Sequence, residues 1–522
     1  MKKIIILAIA LFLGIAGMAY LYFSKLGNEK NAKDLALQSA TNNAAIVFSF
    51  QNDKGFYEII SAQNLIQQVL GEEKTILLTQ LKDIVINDNM LNKYIKDQNI
   101  YISVLPDSNK TLNFLITVQL NAEEDLNKFN QVIKLNKNIA TVKNDLYNVK
   151  LNDSTSAYAN IKDRVITLST SLKLINDAAV RLAENPFTNY IKENNTVSKS
   201  ALAQVYINFN QVPLLLKNIL AGNINGNIEV LNKQNGFASL AYNFSKERIL
   251  FNGNTMLKSD ENYLKLFETS VAQATNIQNI FPDQTANYVI YAFDDYKTWF
   301  KAFNELQTKI NQFSQAERTI STIKNDFRTD LNSIFPVYTK NQFATFQLNT
   351  NEKLGAIQLT NGEKVKQLLF DVSTDYSDEI KVFKSSNILS VYFGDAFKNF
   401  SKPFYVIIDN YLIVANNAST VASFLNSYKN NKLMIQNPVY LDAMNQISTT
   451  SNISYYVNLQ KSKDILRDNI SSKHYKHLRA DSGLKTFDTF CYQMIADKNK
   501  FITNVLFNKY VQQSIPDSLS IR

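Results

Sequence analysis

Short apolar runs, broken by pairs of polar residues and followed by apolar residues at helical spacing, dominate the hydrophobic pattern of this chain. In the clearest case, two runs rich in β-branched and aromatic residues, Tyr405 to Ile408 and Tyr411 to Val414, flank Asp409 and Asn410. Asp and Asn tolerate the backbone of tight turns, so these runs predict a β-hairpin. Helix N-cap candidates and a helical apolar spacing follow: Asn417 and Ser419, then Val421, Phe424 and Leu425.

The same strand, turn, strand and helix pattern occurs earlier in the chain, with its turn at Lys162 and Asp163 and helix-spaced apolar residues from Leu172 onwards. Neighbouring segments match in the same order. The matched pairs are 42–50 with 284–293, 113–121 with 354–361, 184–191 with 436–444, 203–219 with 453–470 and 236–256 with 486–507. A shared order of corresponding segments is typical of an internal duplication, so two tandem repeats are predicted.

Long helical regions are predicted near the start of each copy. One apolar stripe continues from Trp299 to Leu331 and ends before Pro336, and Leu65 to Ile84 carries a similar stripe in the first copy. Such stripes predict long amphipathic helices, with a broken helical hairpin as the alternative, that pack against a sheet or another helix. Because hairpins replace a regular alternation of strand and helix, the expected fold class is α+β with antiparallel sheet.

The N-terminus predicts a membrane segment. Ile4 to Phe23 is uncharged and largely apolar, and about 20 such residues in a helix span the roughly 30 Å of a bilayer core. Lys2 and Lys3 favour a cytoplasmic N-terminus, which would leave the bulk of the chain periplasmic, behind a single pass of the inner membrane. A cleaved signal peptide is the alternative, because Gly17 and Ala19 could precede a cleavage site.

The predicted organisation therefore has six parts. They are 1–24, an N-terminal membrane anchor or signal segment; 25–41, a polar tether; 42–258, the first α+β repeat; 259–283, a connector; 284–510, the second α+β repeat; and 511–522, a C-terminal tail.

Composition narrows the classes of partner and of site. The net charge of +9 is spread without blocks of like charge, so no nucleic-acid partner is expected. Cys491 is the only cysteine of the 522 residues, which excludes an internal disulfide and the lipid attachment of a lipoprotein. Its alternating apolar neighbours predict a buried, inert thiol.

The two histidines offer the first candidate site. His474 and His477 would share one helix face, with Asp481 four residues further on, which is a conceivable spacing for a weak metal site. Three basic side chains nearby would repel a cation: Lys473, Lys476 and Arg479. A solvated basic helix end is therefore the favoured interpretation.

Two other combinations could in principle support catalysis. Ser321 and Lys324 have a spacing at which lysine can activate serine, but the accompanying strand motif is missing. Asp294 and Asp295 follow a predicted strand and could act as an acid and base, although capping of the next helix is the favoured interpretation. No catalytic, cofactor-binding or metal-binding residue is assigned, and no cofactor is expected.

Two phrases carry a resemblance to a known group. FPDQTANYVIYAF (Phe281 to Phe293) opens one copy and IDNYLIVANNASTVASFL (Ile408 to Leu425) forms its hairpin and helix. Behind an N-terminal anchor, they resemble an uncharacterised family of membrane-anchored bacterial envelope proteins of unknown function. The Asn- and Lys-rich, Gly-poor composition is similar to that of Bacteroidetes proteins. The resemblance implies an envelope location and brings no catalytic residues.

The expected function is a non-enzymatic binding or scaffold platform in the bacterial envelope. Its expected contacts are the inner membrane, through residues 4–23, and an envelope protein partner. Two alternatives stay open at this point. One is a periplasmic chaperone or assembly factor with an exposed apolar groove. The other is an exported carboxylate-dependent hydrolase, with Asp294 and Asp295 as candidates.

Overall fold

The computed structural model describes residues 34–511, apart from 54–55, 58–78, 80–82, 84–87, 107–111, 122–125, 144, 152–155, 181–184, 196–200, 223–225, 233 and 480–483. The strands are β1 Ile46–Gln51, β2 Asn99–Pro106, β3 Leu112–Gln119, β4 Ile139–Lys143, β5 Leu146–Lys150, β6 Ser156–Lys162, β7 Val165–Ser169, β8 Gln204–Asn208, β9 Gly236–Phe244, β10 Arg248–Leu257, β11 Gln273–Ala274, β12 Thr285–Ala292, β13 Thr339–Leu348, β14 Lys353–Leu359, β15 Ser373–Asp375, β16 Lys381–Phe383, β17 Phe404–Ile408, β18 Tyr411–Ala415, β19 Thr450–Ser451, β20 Ile453–Asn458, β21 Thr489–Ala496 and β22 Phe501–Asn508.

The described helices are α1 Leu35–Thr41, α2 Asn89–Asn92, α3 Leu126–Leu135, α4 Leu172–Ala179, α5 Pro186–Asn194, α6 Val212–Ile219, α7 Glu229–Asn232, α8 Tyr296–Lys309, α9 Phe313–Phe327, α10 Phe335–Tyr338, α11 Gly362–Leu368, α12 Ile388–Phe393, α13 Ala418–Lys429, α14 Pro438–Met444, α15 Lys463–Asn469 and α16 Ser472–Arg479. Short 3₁₀ helices span Gly226–Ile228, Tyr263–Phe267, Ile277–Ile280, Leu331–Ser333, Gly394–Phe397, Met434–Gln436 and Leu484–Thr486.

One antiparallel sheet of 20 strands organises the described residues. Its spatial order is β4-β5-β6-β7-β3-β2-β1-β8-β9-β10-β22-β21-β20-β12-β13-β14-β18-β17-β16-β15. The two remaining strands, β11 and β19, pair with each other. The middle of the sheet is therefore the pair β10 and β22, and its two free edges are β4 and β15.

This architecture overturns the predicted fold class. Two tandem repeats preceded by a transmembrane helix were expected, but strands from both predicted copies belong to one continuous sheet, joined where Arg248–Thr255 pairs with Phe501–Asn508. The prediction of long amphipathic helices is also wrong, because the longest described helices, α8 and α9, have 14 and 15 residues. No described helix combines the length and apolar character needed to cross a bilayer, and the predicted anchor, residues 4–23, lies outside the described residues.

Left-handed residues explain why the predicted long helix is broken. The apolar stripe after Trp299 is interrupted at Asn311, which has φ 59°, and α9 ends at Arg328, with φ 54°. Each such residue stops the right-handed helical path, since L-residues adopt this backbone only singly. The chain then forms two shorter helices, and the predicted stripe from Leu65 to Ile84 in the first copy falls almost entirely outside the described residues.

Both faces of the sheet are buried over much of its area. All eight residues of β12 are buried, with Val289 and Tyr291 on one face and Tyr288 and Ile290 on the other. Aromatic rings from β12, α8 and α12 fill the first of these faces, among them Trp299, which is 2% exposed. A sheet covered on both sides reads as near-continuous apolar runs, which is why β12 lacks a polar alternation.

Candidate functional site

The middle of the sheet carries a row of asparagines on one face. Asn252 and Asn254 alternate along β10, so both side chains point to the same side, and Asn504 of β22 lies opposite Asn252. Asn243 of β9 extends the row, since it opposes Leu250, the next residue of β10 on that face. Asn243 is exposed and the other three are half-buried, so the row contacts solvent although it lies at the centre of 20 strands.

Hydrogen bonds link three of these amides across three strands. Asn243 Nδ2 donates to Asn252 Oδ1 at 3.3 Å, and Asn252 Nδ2 donates to Asn504 Oδ1 at 2.7 Å. Each amide carries two donor hydrogens and an acceptor oxygen with two lone pairs. The Asn504 Nδ2 donors and the Asn254 side chain make no hydrogen bond within the described part of the chain. The row therefore offers both donors and acceptors to a molecule lying on it.

Two helices rise on the same face, one at each side of the row. On α5, the rings of Phe187 and Tyr190 pack on Phe237 of β9, with centroids 5.2 Å apart in both pairs. On α14, Tyr440 packs on Tyr456 of β20, at 5.3 Å. α5 is thus anchored over β9 and α14 over β20 and β21, and the face of β10 and β22 between them carries no aromatic side chain.

The asparagine row lies between these two helices, where it keeps partial exposure to solvent. We call this region, with the asparagine row as its floor and α5 and α14 as its walls, the central groove.

One end of the central groove is apolar. Met256 and Ile502 are each 40% exposed, and they continue the same face of β10 and β22 beyond the asparagines. Tyr190 donates a hydrogen bond to the backbone oxygen of Asn254 at 3.5 Å, which ties α5 to the floor. Beyond Asn504 the same face of β22 is covered, because Leu506 is 0% exposed and Asn508, 2% exposed, donates through Nδ2 to Asp442 Oδ2 of α14 at 2.8 Å. The groove thus has an amide floor with one open, apolar end.

A smaller pocket lies on the opposite face, beside α7. Two carboxylates line it, Glu229 and Asp395, together with Tyr263 and Tyr291. Burial raises the pKa of the Tyr291 hydroxyl, and the nearby charges of Asp395 and Glu229 raise it further. Glu229 is already neutralised by Lys398, whose Nζ lies 2.7 Å from Glu229 Oε2. The pocket is a set of satisfied polar groups around buried tyrosines, and we assign it no chemistry.

Most of the conceivable histidine metal site lies outside the described residues. His474 is half-buried on α16, whereas Asp481 and the side chain of His477 lie outside what the structure describes. No group of three or more His, Cys, Asp or Glu side chains that could hold a metal ion occurs in the described parts of the chain. Cys491 is 1% exposed in β21, and burial raises its thiol pKa, as expected for an inert buried thiol.

Lys324 and Asp295, which belong to the other two candidate combinations, each contact a neighbouring residue that explains their position. Lys324 Nζ lies 2.8 Å from Asp330 Oδ2, so it forms an ion pair with that carboxylate on an exposed helix surface that also carries Ser321. Asp295 caps α8, because its Oδ2 accepts hydrogen bonds from Thr298 N at 2.8 Å and Thr298 Oγ1 at 2.7 Å. These bonds hold the pKa of Asp295 below its usual range. Helix capping, the favoured interpretation, is confirmed for Asp295, and Asp294 is exposed beside it.

The sequence contains a signal for the asparagine row, although none of the candidate site residues belongs to it. Asn252, Gly253 and Asn254 interrupt a strand whose other positions are mostly apolar. Asn and Gly are depleted in strands, so their presence at alternate positions marks a face that is not packed. The pairing of Asn252 with Asn504 could not be anticipated, because the partner strand is 252 residues away along the chain (504 − 252 = 252).

Comparison with known proteins does not identify a family for this chain. No protein-family model matches the chain, and neither the curated proteins nor the solved structures that were searched include a match.

Proposed function

We propose that the protein is a non-enzymatic binding platform of the bacterial envelope, held at the inner membrane by residues 4–23, and that the central groove binds an extended, uncharged segment of a partner protein. The observation that carries the proposal is the half-buried asparagine row between α5 and α14. A sheet centre is normally covered, and polar groups placed there need hydrogen-bond partners. A peptide backbone supplies donors and acceptors along its whole length.

The chemistry of the floor sets the class of ligand. No charged side chain belongs to the floor formed by Asn243, Asn252, Asn254 and Asn504, so a charged segment would lose water without gaining an ion pair. Amides can pair with a peptide backbone irrespective of its sequence, whereas the apolar end at Met256 and Ile502 favours one large apolar side chain. The proposed ligand is therefore an uncharged strand-like segment with an apolar residue near one end.

Photo-crosslinking in cells tests the proposal. A benzoylphenylalanine introduced at Asn252 or at Asn504 would lie on the floor, and one at Glu317, exposed on α9, serves as the control. We expect the same protein to be captured from both floor positions and not from the control position. Different captures at positions 252 and 504, or equal capture at 317, would contradict a ligand in the groove.

A binding measurement on the captured partner completes the test. Asn504→Asp introduces a charge on the floor and removes the free Nδ2 donors, whereas Asn504→Gln keeps the amide. We expect the aspartate variant to bind at least tenfold more weakly, about 1.4 kcal/mol, and the glutamine variant to bind within threefold of wild type. Equal affinity of all three proteins would refute the assigned role of the row.

A second candidate function, a periplasmic chaperone, is favoured by one other observation. Phe300 of α8, Phe313 of α9 and Pro336 of α10 provide the apolar part of an open groove, beside Val337, which is 49% exposed. Polar residues of α8 line the rest of it: Lys297, Lys301, Asn304, Glu305 and Thr308. Apolar surface of this kind can hold an unfolded segment. Phe313→Ser should then lower suppression of client aggregation while leaving crosslinks from position 252 unchanged, and the opposite result would favour the central groove.

A further inference from the structure

The two ends of the sheet are free edges of opposite charge. Among the described residues, β4 pairs only with β5, and β15 pairs only with β16. A free edge presents unpaired backbone N–H and C=O groups, which makes it a template for another strand. Sheets in single-chain proteins usually protect such edges, so the side chains around β4 and β15 indicate what each edge tolerates.

The β4 edge is basic and apolar. Four of its five residues are exposed, including Val142 at 54%, and Leu135 just before it is 74% exposed. Lys137 and Lys143 flank the strand, and both are exposed. Neither lysine has a carboxylate partner within the described residues, so their positive charges face solvent beside the free edge.

The β15 edge is acidic and aromatic. Phe370 and Tyr376, on either side of the strand, are 63% and 62% exposed. Asp371 and Asp378 are exposed there too, and in the described chain no basic side chain forms an ion pair with their carboxylates. Two lysines also lie at this edge, since Lys384 Nζ donates to the Asp371 backbone oxygen at 2.8 Å and Lys381 Nζ lies 5.4 Å from the centroid of the Phe370 ring. Asp375 is different, because it is paired with Lys381 of the neighbouring strand. The edge thus keeps two unpaired negative charges beside two exposed rings.

We propose that copies of this chain associate head to tail, with the β4 edge of one copy adding to the β15 edge of the next. Lysines on an edge strand commonly prevent the addition of another strand, but this protection would work equally well with the same sign of charge at both edges. Here the signs are opposite, so unlike edges attract and like edges repel. Exposed apolar side chains at both ends, Leu135 and Val142 against Phe370 and Tyr376, provide area to bury on contact.

This contact is heterologous, which fixes the form of the assembly. Each copy uses two different surfaces, so pairing generates a ring if the rotation closes and an open array if it does not. Because β15 has three residues, few backbone hydrogen bonds form per contact, and each single contact is expected to be weak. Proteins confined to one membrane would meet at high local concentration, so even a weak contact could organise them. The inference concerns self-association and is independent of what the central groove binds.

Cysteine crosslinking on the full-length protein tests the geometry. Thr141→Cys on β4 and Thr374→Cys on β15 are both exposed, and the natural Cys491 is buried. With a short bismaleimide, a mixture of the two variants should give a dimer, and the variant carrying both cysteines should give a ladder of multimers. Thr141→Cys mixed with Ser314→Cys, exposed on α9, is the control. Equal dimer yield in the control mixture would overturn the proposal.

Charge reversal separates the proposed pairing from other contacts. Lys137→Glu with Lys143→Glu makes both edges acidic, and Asp371→Lys with Asp378→Lys makes both basic. Each variant alone should lose most of the ladder, about tenfold, and mixing the two should restore crosslinking between them. Lys473→Glu with Lys476→Glu on α16 changes the net charge equally without touching an edge, and should leave the ladder intact.

Every outcome decides for or against the head-to-tail contact. Since all reversed residues are exposed, circular dichroism is expected to show unchanged folding in each variant. No ladder from the wild-type edges, a ladder that survives either reversal, or a loss of crosslinking in the α16 control as well would each overturn the proposal. A dimer formed by Thr141→Cys alone would show pairing of like edges, which also contradicts it.

Discussion

Removing one hydroxyl from the pair Thr255 and Thr503 tests whether the two halves of the sheet form one cooperative structure. These residues lie on β10 and β22, on the face opposite the asparagine row, and both are 0% exposed. Their Oγ1 atoms are 2.7 Å apart. On the same face, the Tyr492 hydroxyl donates to Gln234 Oε1 at 3.0 Å. Within the described residues, Thr255 and Thr503 are therefore each other's side-chain hydrogen-bond partner.

The expected magnitudes follow from these positions. Either Thr255→Val or Thr503→Val removes this buried hydrogen bond and leaves one hydroxyl without its partner, so each should lower the free energy of unfolding by about 1 kcal/mol. The double variant should also cost about 1 kcal/mol, because the second substitution has no bond left to remove, and the coupling energy is then about 1 kcal/mol.

Urea unfolding followed by two probes measures both the stability and the cooperativity. Trp299 is the only tryptophan of the chain, so its fluorescence reports on the part of the core around β12 and α8, whereas far-ultraviolet circular dichroism reports on the whole sheet. If β10 and β22 unite the sheet, the two transitions should coincide in the wild type and shift together in each variant. Thr141→Val, on the exposed strand β4, should change stability by less than about 0.5 kcal/mol.

A coupling energy below about 0.3 kcal/mol would refute the reasoning, because sites that do not interact are additive within that range. Separate transitions for fluorescence and circular dichroism would refute the cooperative continuity of the sheet, even if the coupling were present. The two results are distinguishable, since the first concerns one hydrogen bond and the second the whole junction.

Three further predictions concern other parts of the chain. Asp295→Ala should lower the free energy of unfolding by about 1 kcal/mol in chemical denaturation at neutral pH, and Asp295→Asn should lower it much less. Because hydrogen bonds from Thr298 lower the pKa of Asp295 in the folded state, the difference in stability between the wild type and Asp295→Ala should vanish as the pH falls through that pKa. Burial raises the pKa of Glu268, whose Oε1 lacks a partner among the described residues. The stability contributed by this group therefore falls as the pH rises. Glu268→Gln should raise the melting temperature at pH 7 and weaken the pH dependence of the melting temperature. Phe424→Asp puts a charge at a 0% exposed position and should cost more than about 4 kcal/mol in a thermal melt, whereas Ser423→Asp, exposed on the same helix, should cost little.

Local structure could be predicted from the sequence wherever turn and helix signals decide it. The hairpin predicted at Tyr405 to Val414 is confirmed as β17 and β18, with Asp409 at φ 51° in the turn, and α13 begins directly after Asn417. The earlier turn was displaced by one residue, because Asp163 and Arg164 carry the positive φ angles and not Lys162. Arginine has no preference for that backbone, so residue type alone gave no sign of the displacement.

The arrangement of the strands could not be predicted in the same way. A strand's pattern shows which face is buried but not which strand is its neighbour, so the segments near 236–256 and 486–507 are predicted as strands of separate repeats, without their mutual pairing. Their pairing, Leu250 opposite Leu506 for example, joins what looked like two units. The central groove depends on this junction, so its walls and floor could not be predicted from the sequence either.

The junction of β10 and β22 also bears on why one face of the sheet contacts solvent at its centre. Strongly twisted open sheets rarely exceed about 10 strands without bending, so a sheet of 20 strands must accommodate strain somewhere along its width. Gly253 of β10 lies at the midpoint, where a Cβ atom would come within 1.9 Å of the Ser239 backbone oxygen, so this close approach of neighbouring strands requires glycine. Asn252 and Asn254 lie on either side of Gly253, and hydrogen bonds across the strands link Asn252 to Asn243 and Asn504. The close approach of β9 and β10 thus coincides with a polar, accessible floor whose remaining amide donors are available to a ligand.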